Sequence, residues 1–108
     1  MSAGDFLFIS GGTGENGCRI NGGYDRTAEM SGGYALYSKR GDAGMCMEHF
    51  GGNWQVKRVS SKGKNLSTAK VAGGCAAEAC TSRMWKVAGG GFHDAPSVKM
   101  VAVSEVSS

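Results

Sequence analysis

Short stretches in which apolar and polar residues alternate recur along this chain, and glycines separate them. In one such stretch Trp54 and Val56 alternate with Gln55 and Lys57. This period of two is typical of a strand with one buried and one solvated face. Glycine is favoured in tight turns between strands, and paired or triple glycines stand at 11–12, 22–23, 32–33, 51–52, 73–74 and 89–91. The pattern predicts an all-β chain.

The segments between the glycines predict about eight short strands. They cover residues 5–10, 20–27, 34–39, 45–50, 54–59, 69–72, 83–87 and 97–103. We expect a turn or bulge at 21–23, loops at 11–17 and 60–68, and a short helical turn near 75–80, where alanine and glutamate favour helix. This spacing indicates a small antiparallel β-sandwich or barrel. The predicted core consists of Phe8, Tyr24, Leu36, Met47, Trp54, Val56, Trp85, Val87, Val101 and Val103.

Length and composition limit the class of protein. The 108 residues suit a single domain, 1–108, and a hydrophobic share of 41% excludes a disordered chain. A formal charge of +3 is too small to indicate nucleic-acid binding. The first apolar run is too short for a signal peptide, and no run approaches the roughly 20 residues of a membrane helix. We therefore expect a soluble protein without membrane insertion, in a compartment that the sequence does not specify.

The four cysteines allow three interpretations. Buried reduced thiols are favoured, a disulfide loop between Cys75 and Cys80 is the alternative, and a zinc site made from all four is least favoured. Structural zinc takes two close pairs of ligands, and only Cys75 and Cys80 are close in sequence. No metal or cofactor is predicted.

Three motifs suggest chemistry and have simpler explanations. Residues 12–17 match G-x-G-x-x-G after an apolar strand, but the glycines at 22–23 interrupt the helix that dinucleotide binding needs, so we interpret them as a loop. Residues 40–42 spell Arg-Gly-Asp, which suits an ordinary turn. His49 and His93 have no spacing that indicates a catalytic pair, so no catalytic residue is predicted and the chain is not expected to be an enzyme.

The densest basic cluster lies between residues 57 and 70. Its lysines and arginine are expected on a solvated connection, from which they are candidates to contact an anionic surface or an acidic partner. No aromatic residue is interleaved there, so nucleic-acid binding is not expected. The candidate binding residues of this cluster are Lys57, Arg58, Lys62 and Lys64.

Aromatic residues suggest a second kind of binding. Tyr34 and Tyr37 fall on opposite faces of one predicted strand and are the best candidates for an exposed aromatic ring. An exposed ring in a β-sandwich is a plausible platform for a pyranose ring. Trp54 and Trp85 are each followed at two residues by valine, which favours core packing for both.

Several short motifs, in order, resemble a Gly- and Trp-rich domain of protist and algal proteins that often occurs in tandem copies. They are residues 20–24 (INGGY), 36–39 (LYSK), 54–57 (WQVK) with Lys62-Gly63 after them, and 85–87 (WKV). The resemblance spans residues 9–103. It implies a structural or binding module and transfers no site residue. A single copy implies an accessory subunit of a larger assembly.

The absence of a catalytic signature and the complete small-domain pattern together favour a non-catalytic structural or protein-interaction module. Its expected partners are other proteins, for which it serves as an accessory or scaffolding subunit. The alternative is a glycan-binding, lectin-like β domain that uses Tyr34 or Tyr37.

Overall fold

The structure is a computed structural model that describes residues 6–74, 76–80, 83–89 and 91–103. The nine strands in these ranges confirm the all-β prediction. No helix in these ranges is long and apolar enough to cross a membrane. A 3-10 turn at Ala77–Ala79 confirms the predicted helical turn. The strands are β1 (Phe6–Ser10), β2 (Gly22–Ser31), β3 (Tyr34–Lys39), β4 (Met45–Phe50), β5 (Asn53–Arg58), β6 (Ala69–Ala72), β7 (Trp85–Ala88), β8 (Phe92–Ala95) and β9 (Lys99–Val103), with one α-helix, α1 (Gly14–Ile20), and a second 3-10 turn, Val59–Ser61.

The strands form one antiparallel sheet in the order β8-β7-β6-β5-β4-β3-β2-β1-β9. Each strand from β1 to β7 pairs with the next along the chain, and β9 returns to pair with β1. The sheet curls into a half-barrel. Its edge strands β8 and β9 are joined by residues 96–98, where the Val98 N–H donates to the Ala95 oxygen at 3.0 Å. The two edge strands are therefore linked by this connection but, in the ranges that the structure describes, do not pair with each other.

Two of the glycine pairs form hairpin turns, as the sequence predicts. Gly32 and Gly33 connect β2 to β3 with φ of 61° and 84°, and Gly51 and Gly52 connect β4 to β5 with φ of 60° and 81°. Both values of φ in each pair are positive, as two-residue turns that match the strand twist require. These turns fix the register of the central strands.

Helix α1 corrects the prediction of a loop at 11–17. The Asn16 side-chain amide donates to the Ala88 oxygen at the end of β7 (2.8 Å), so the helix bridges from β1 towards β7. The Asn21 amide binds both the N–H and the C=O of Gly12, at 2.9 and 3.0 Å. A Cβ on Gly12 would lie 2.0 Å from the Gly17 oxygen. The glycines of the G-x-G-x-x-G motif thus allow close backbone packing, and tertiary contacts outweigh their poor helix propensity.

The core fills the concave side of the sheet, and the predicted core is wrong at two positions. Phe8 is 40% exposed and Val101 is 47% exposed, while Val103 is half-buried. Successive side chains of a strand point to opposite faces of the sheet. Shifting the predicted buried positions by one residue therefore exchanges the buried side chains with the exposed ones. The remaining predicted core residues are buried or partly buried, and the main core cluster comprises Leu7, Ile9, Ile20, Tyr24, Tyr37, Met45, Met47, Trp54, Val56, Ala69, Val71, Ala77, Cys80, Trp85, Val98 and Met100.

The outer face of β4 and β5 is covered by the chain itself, which corrects the prediction of a wet face on β5. Gln55 and Lys57 are 1% and 0% exposed. The connection 60–68 folds back over them: the Gly63 N–H donates to Glu48 at 3.0 Å, and Lys57 Nζ donates to the Lys64 oxygen at 2.8 Å. Both faces of β5 are therefore buried.

Candidate functional site

An apolar strip lies on the outer face of the sheet where β1 pairs with β9. Phe8 lies opposite Val101, and Phe6 lies opposite Val103. The alternating residues Leu7, Ile9 and Met100 point into the core, so these four side chains point outward. We call the four the β1–β9 strip: Phe6, Phe8, Val101 and Val103.

The surroundings of the strip leave its centre open. On the β2 side, Phe8 lies opposite Gly23, which has no side chain to cover the ring. At one end, the Arg40 guanidinium lies 3.8 Å from the centre of the Phe6 ring and pairs with Asp25 at 2.8 Å. A charged pair therefore covers one end of the strip, and Phe8 and Val101 remain exposed.

Strand β9 also offers a free edge. Within the described residues it pairs with β1 alone. Edge strands of monomeric proteins are usually protected by charge, proline, a bulge or extreme shortness. The central residues 100–102 of β9 are Met-Val-Ala and have none of these features, and Lys99 is the strand's only charge.

The opposite edge, β8, is protected in the ways that β9 is not. It has four residues, carries His93 and Asp94, and is followed by Pro96. Asp94 pairs with Lys86 at 2.9 Å. A strand from another chain can therefore pair more easily with the edge of β9 than with the edge of β8.

The structure places Tyr34 and Tyr37 in an aromatic cluster. Tyr37 is 3% exposed, so the prediction that it is an exposed ring is wrong. Tyr34 is half-buried, and its hydroxyl donates to the Gly74 oxygen at 3.0 Å. Its ring centre lies 4.6 Å from that of His49 and 5.6 Å from that of Trp54. Tyr37 also packs against Trp54, with 5.8 Å between the ring centres.

A small cavity adjoins the cluster. It has a volume of about 120 Å³ and is lined in part by Arg26, Tyr34 and Trp54. Binding pockets for small molecules usually measure about 300–1,000 Å³. The cavity is therefore too small to enclose a sugar ring.

Lys57 is buried, which makes the prediction that it contacts a partner wrong. Its ammonium group donates to Glu48 Oε1 at 2.7 Å beneath the connection 60–68. Burial acts to raise the pKa of the Glu48 carboxyl, but hydrogen bonds from Lys57, Ser31 and the Gly63 N–H outweigh burial and hold that pKa below its usual range. This pair belongs to the fold.

The other predicted basic residues are separated. Lys62 pairs with Glu29 at 2.8 Å, and this hydrogen bond raises the pKa of Lys62. Lys64 and Arg58 are exposed. Arg58, at the end of β5, lines one cavity with Lys57 under the connection and a second cavity with Arg19. The structure thus divides the predicted basic surface rather than assembling it.

The cysteines and histidines have structural contacts. Cys80 is disulfide-bonded, which corrects the expectation of four reduced thiols, and Cys75 lies outside the described residues. Cys18 and Cys46 are free thiols, and Cys18 is exposed. No group of three or more potential metal ligands occurs within the described ranges.

Both histidines bind backbone oxygens. His49 Nε2 lies 2.7 Å from the Gly73 oxygen, and His93 Nε2 binds the Gly89 oxygen. The carboxylate beside His93 in sequence, Asp94, pairs with Lys86 instead. The arrangement gives each ring a structural partner.

Sequence reasoning assigns three of the four strip residues, Phe8, Val101 and Val103, to the core, although one signal indicates otherwise. Lys99 shares its strand face with Val101 and Val103, and Ser10 shares its face with Phe6 and Phe8. The two polar residues lie opposite each other in the β1–β9 pair. A lysine and a serine at matching positions mark that face as the solvated one.

Comparisons of this chain with protein-family models, curated proteins and solved structures found no match. The functional argument therefore depends on the geometry of its own residues.

Proposed function

We propose that this chain is a non-catalytic protein-interaction module, an accessory or scaffolding component of a larger assembly, and that its partner binds on the β1–β9 strip. The observation that carries the proposal is that two exposed apolar side chains, Phe8 and Val101, lie opposite each other on the β1–β9 pair, beside a free strand edge. Covering the exposed half of each side chain contributes about 1 kcal/mol. This chain does not cover them within its described residues, so a partner would gain that energy.

The partner that fits best is an extended segment of another protein that adds a strand to β9. Main-chain hydrogen bonds to the free edge supply affinity, and alternate side chains of the added strand extend the apolar strip beyond Val101. An acidic residue of the segment complements Lys99. A second copy of this chain fits less well, because each copy carries a charge of +3.

The resemblance to the Gly- and Trp-rich domain agrees with a non-catalytic role and stays a prediction. Tandem copies in that family imply modules that act through their surfaces. A module with a bare apolar strip is suited to an accessory position in an assembly.

Glycan binding remains the alternative proposal, with Tyr34 as its half-buried aromatic. It lacks the support of a fully exposed ring on the concave face, because Tyr37 is buried. A glycan array separates the two proposals: specific signals that Tyr34→Ala abolishes and Phe8→Ser leaves unchanged would favour the lectin-like function.

Phe92 provides a matched control for testing the strip. It is 41% exposed, against 40% for Phe8, and it lies on the opposite edge strand. Tagged chain would be purified from its native cells as wild type, Phe8→Ser, Val101→Lys and Phe92→Ser. We expect one discrete protein to co-purify with the wild type and with Phe92→Ser, and to be lost from the other two variants.

A photo-crosslinking amino acid at position 101 tests the mode of binding. We expect its adduct to map to a segment of the co-purified protein with alternating apolar residues, and a crosslinker at position 92 to give no such adduct. A wild-type chain that purifies as a free monomer, or a partner retained by Phe8→Ser, would overturn the proposal.

A further inference from the structure

Two arginines from distant parts of the chain line one open cavity. Arg19 lies in the last turn of α1, and Arg58 ends β5. The cavity has a volume of about 380 Å³ and is also lined by Asp42, Gly44 and Ser60. It is independent of the β1–β9 strip, because α1 and the ends of β4 and β5 form it.

From this geometry we infer an oxyanion-binding site that takes a doubly charged tetrahedral group, such as a phosphate monoester or inorganic sulfate. Guanidinium groups present planar pairs of N–H donors that match the oxygens of such groups. Two of them approaching from separate elements provide donors on two sides of one ligand. The volume falls in the range of small-molecule pockets.

The hydrogen bonds of the two arginines leave donors for a ligand. Arg19 makes only long bonds, to Glu15 at 3.3 Å and to Asn16 at 3.4 Å. Arg58 has no ion pair or side-chain hydrogen bond within the described part of the chain. Behind Arg19, Lys39 Nζ donates to the Arg19 backbone oxygen and adds positive potential.

Asp42 opposes an anion in this cavity and so supplies a sharp test. One of its oxygens accepts the Gly44 N–H at 3.0 Å, which holds the carboxylate near its own loop. Glu15 pairs with Arg19 at 3.3 Å and is not among the residues that line the cavity, so Asp42 is the negative charge that a bound anion meets there. Removing that charge should therefore strengthen oxyanion binding, whereas a purely structural role for Asp42 predicts no such gain.

The site is tested by following the backbone amide signals of Gly44 and Ser60 by NMR while inorganic phosphate is added at low ionic strength. We expect saturable shifts at these amides. Arg58→Gln and Arg19→Gln should each weaken phosphate binding about tenfold or more. Arg26→Gln, which removes an exposed arginine outside this cavity, should leave the affinity unchanged.

Asp42→Asn keeps an oxygen to accept the Gly44 N–H and removes the negative charge, so it should bind phosphate several-fold more tightly. Inorganic sulfate, O-phosphoserine and acetate identify the ligand class. Sulfate or O-phosphoserine binding at least as tightly as phosphate, with acetate much weaker, supports a tetrahedral dianion. Shifts that do not saturate, acetate binding equal to phosphate, or an affinity that Arg58→Gln leaves unchanged would overturn the inference.

Discussion

Two regions of the outer face of this sheet are treated in opposite ways by the same chain. On β4 and β5, the polar residues Glu48, Gln55 and Lys57 are covered by the connection 60–68 and satisfied largely by internal hydrogen bonds. On β1 and β9, the apolar residues Phe8 and Val101 remain exposed. The usual preference is the reverse, because water solvates polar groups and rejects apolar ones. The covered region stabilises the fold, and we propose that the bare region binds a partner.

The largest expected effect comes from breaking the covered ion pair. Glu48→Gln leaves the Lys57 ammonium buried without its carboxylate, and we expect the free energy of unfolding to fall by about 3–5 kcal/mol. Urea denaturation measures the loss. The double variant Glu48→Leu/Lys57→Met removes both charges and should recover most of it. If Glu48→Gln and the wild type unfold at the same urea concentration, the buried pair of Glu48 and Lys57 does not stabilise the fold.

A similar contrast applies to the strip, where the expected effect is smaller. Phe8→Ser and Val101→Ser should each cost about 1 kcal/mol or less, because both side chains are exposed at about half their surface. A true core phenylalanine would cost about 3–5 kcal/mol. Phe92→Ser is the matched control in the same urea titration. If Phe8→Ser lowers the free energy of unfolding as much as Glu48→Gln does, Phe8 is a core residue and the β1–β9 strip is not an exposed surface.

Acid sharpens the comparison further. The pKa of Glu48 is held below its usual value, so its ionised form stabilises the fold above the unfolded-state pKa of about 4.3, and this contribution is lost as the pH falls through the lower folded-state pKa. We expect the difference in stability between the wild type and Glu48→Gln to be full near neutral pH and to shrink in acid. Phe8→Ser should follow the wild-type pH profile. A Glu48→Gln profile parallel to that of the wild type would contradict the assignment.

The smallest expected effect concerns the edge of the covering connection. Lys62→Gln breaks the exposed pair with Glu29, and such pairs contribute about 0–1 kcal/mol. The urea midpoint should hardly move. A loss comparable to that of Glu48→Gln would show that Lys62 anchors the connection and that the buried pair is secondary.

Sequence reasoning placed most strands correctly because their signals are local. The glycine pair at 32–33 marks the start of β3, and the pair at 51–52 marks the end of β4 and the start of β5. Strand β8 was predicted as a loop because Phe-His-Asp-Ala carries no alternating apolar pattern. Helix α1 was missed because its glycines disfavour a helix that packing against the sheet then stabilises.

The candidate sites were less predictable because they depend on which face each residue occupies. Residues 6–9 are Phe-Leu-Phe-Ile, so both sets of alternate positions in this segment are apolar. Either Phe6 and Phe8 or Leu7 and Ile9 could fill the core, and these four residues alone do not show which set does.

The sequence around Lys57 predicts a solvated side chain, because the groups that bury it lie elsewhere in the chain. Residues 60–68 cover it, and its carboxylate partner, Glu48, lies on another strand. Arg58 was predicted as a candidate to contact an anion, and Arg19, which lines the same cavity, is distant from it in sequence.

Hydroxyl-radical footprinting of the chain, free and in the complex purified from its native cells, tests the central claim most directly. We expect Phe8 to be oxidised readily in the free chain and to be protected in the complex, while Phe92, equally exposed on the other edge, reacts to the same extent in both. Phe8 that is already protected in the free chain, or that reacts equally in the complex, would contradict the assignment of the β1–β9 strip as the docking surface.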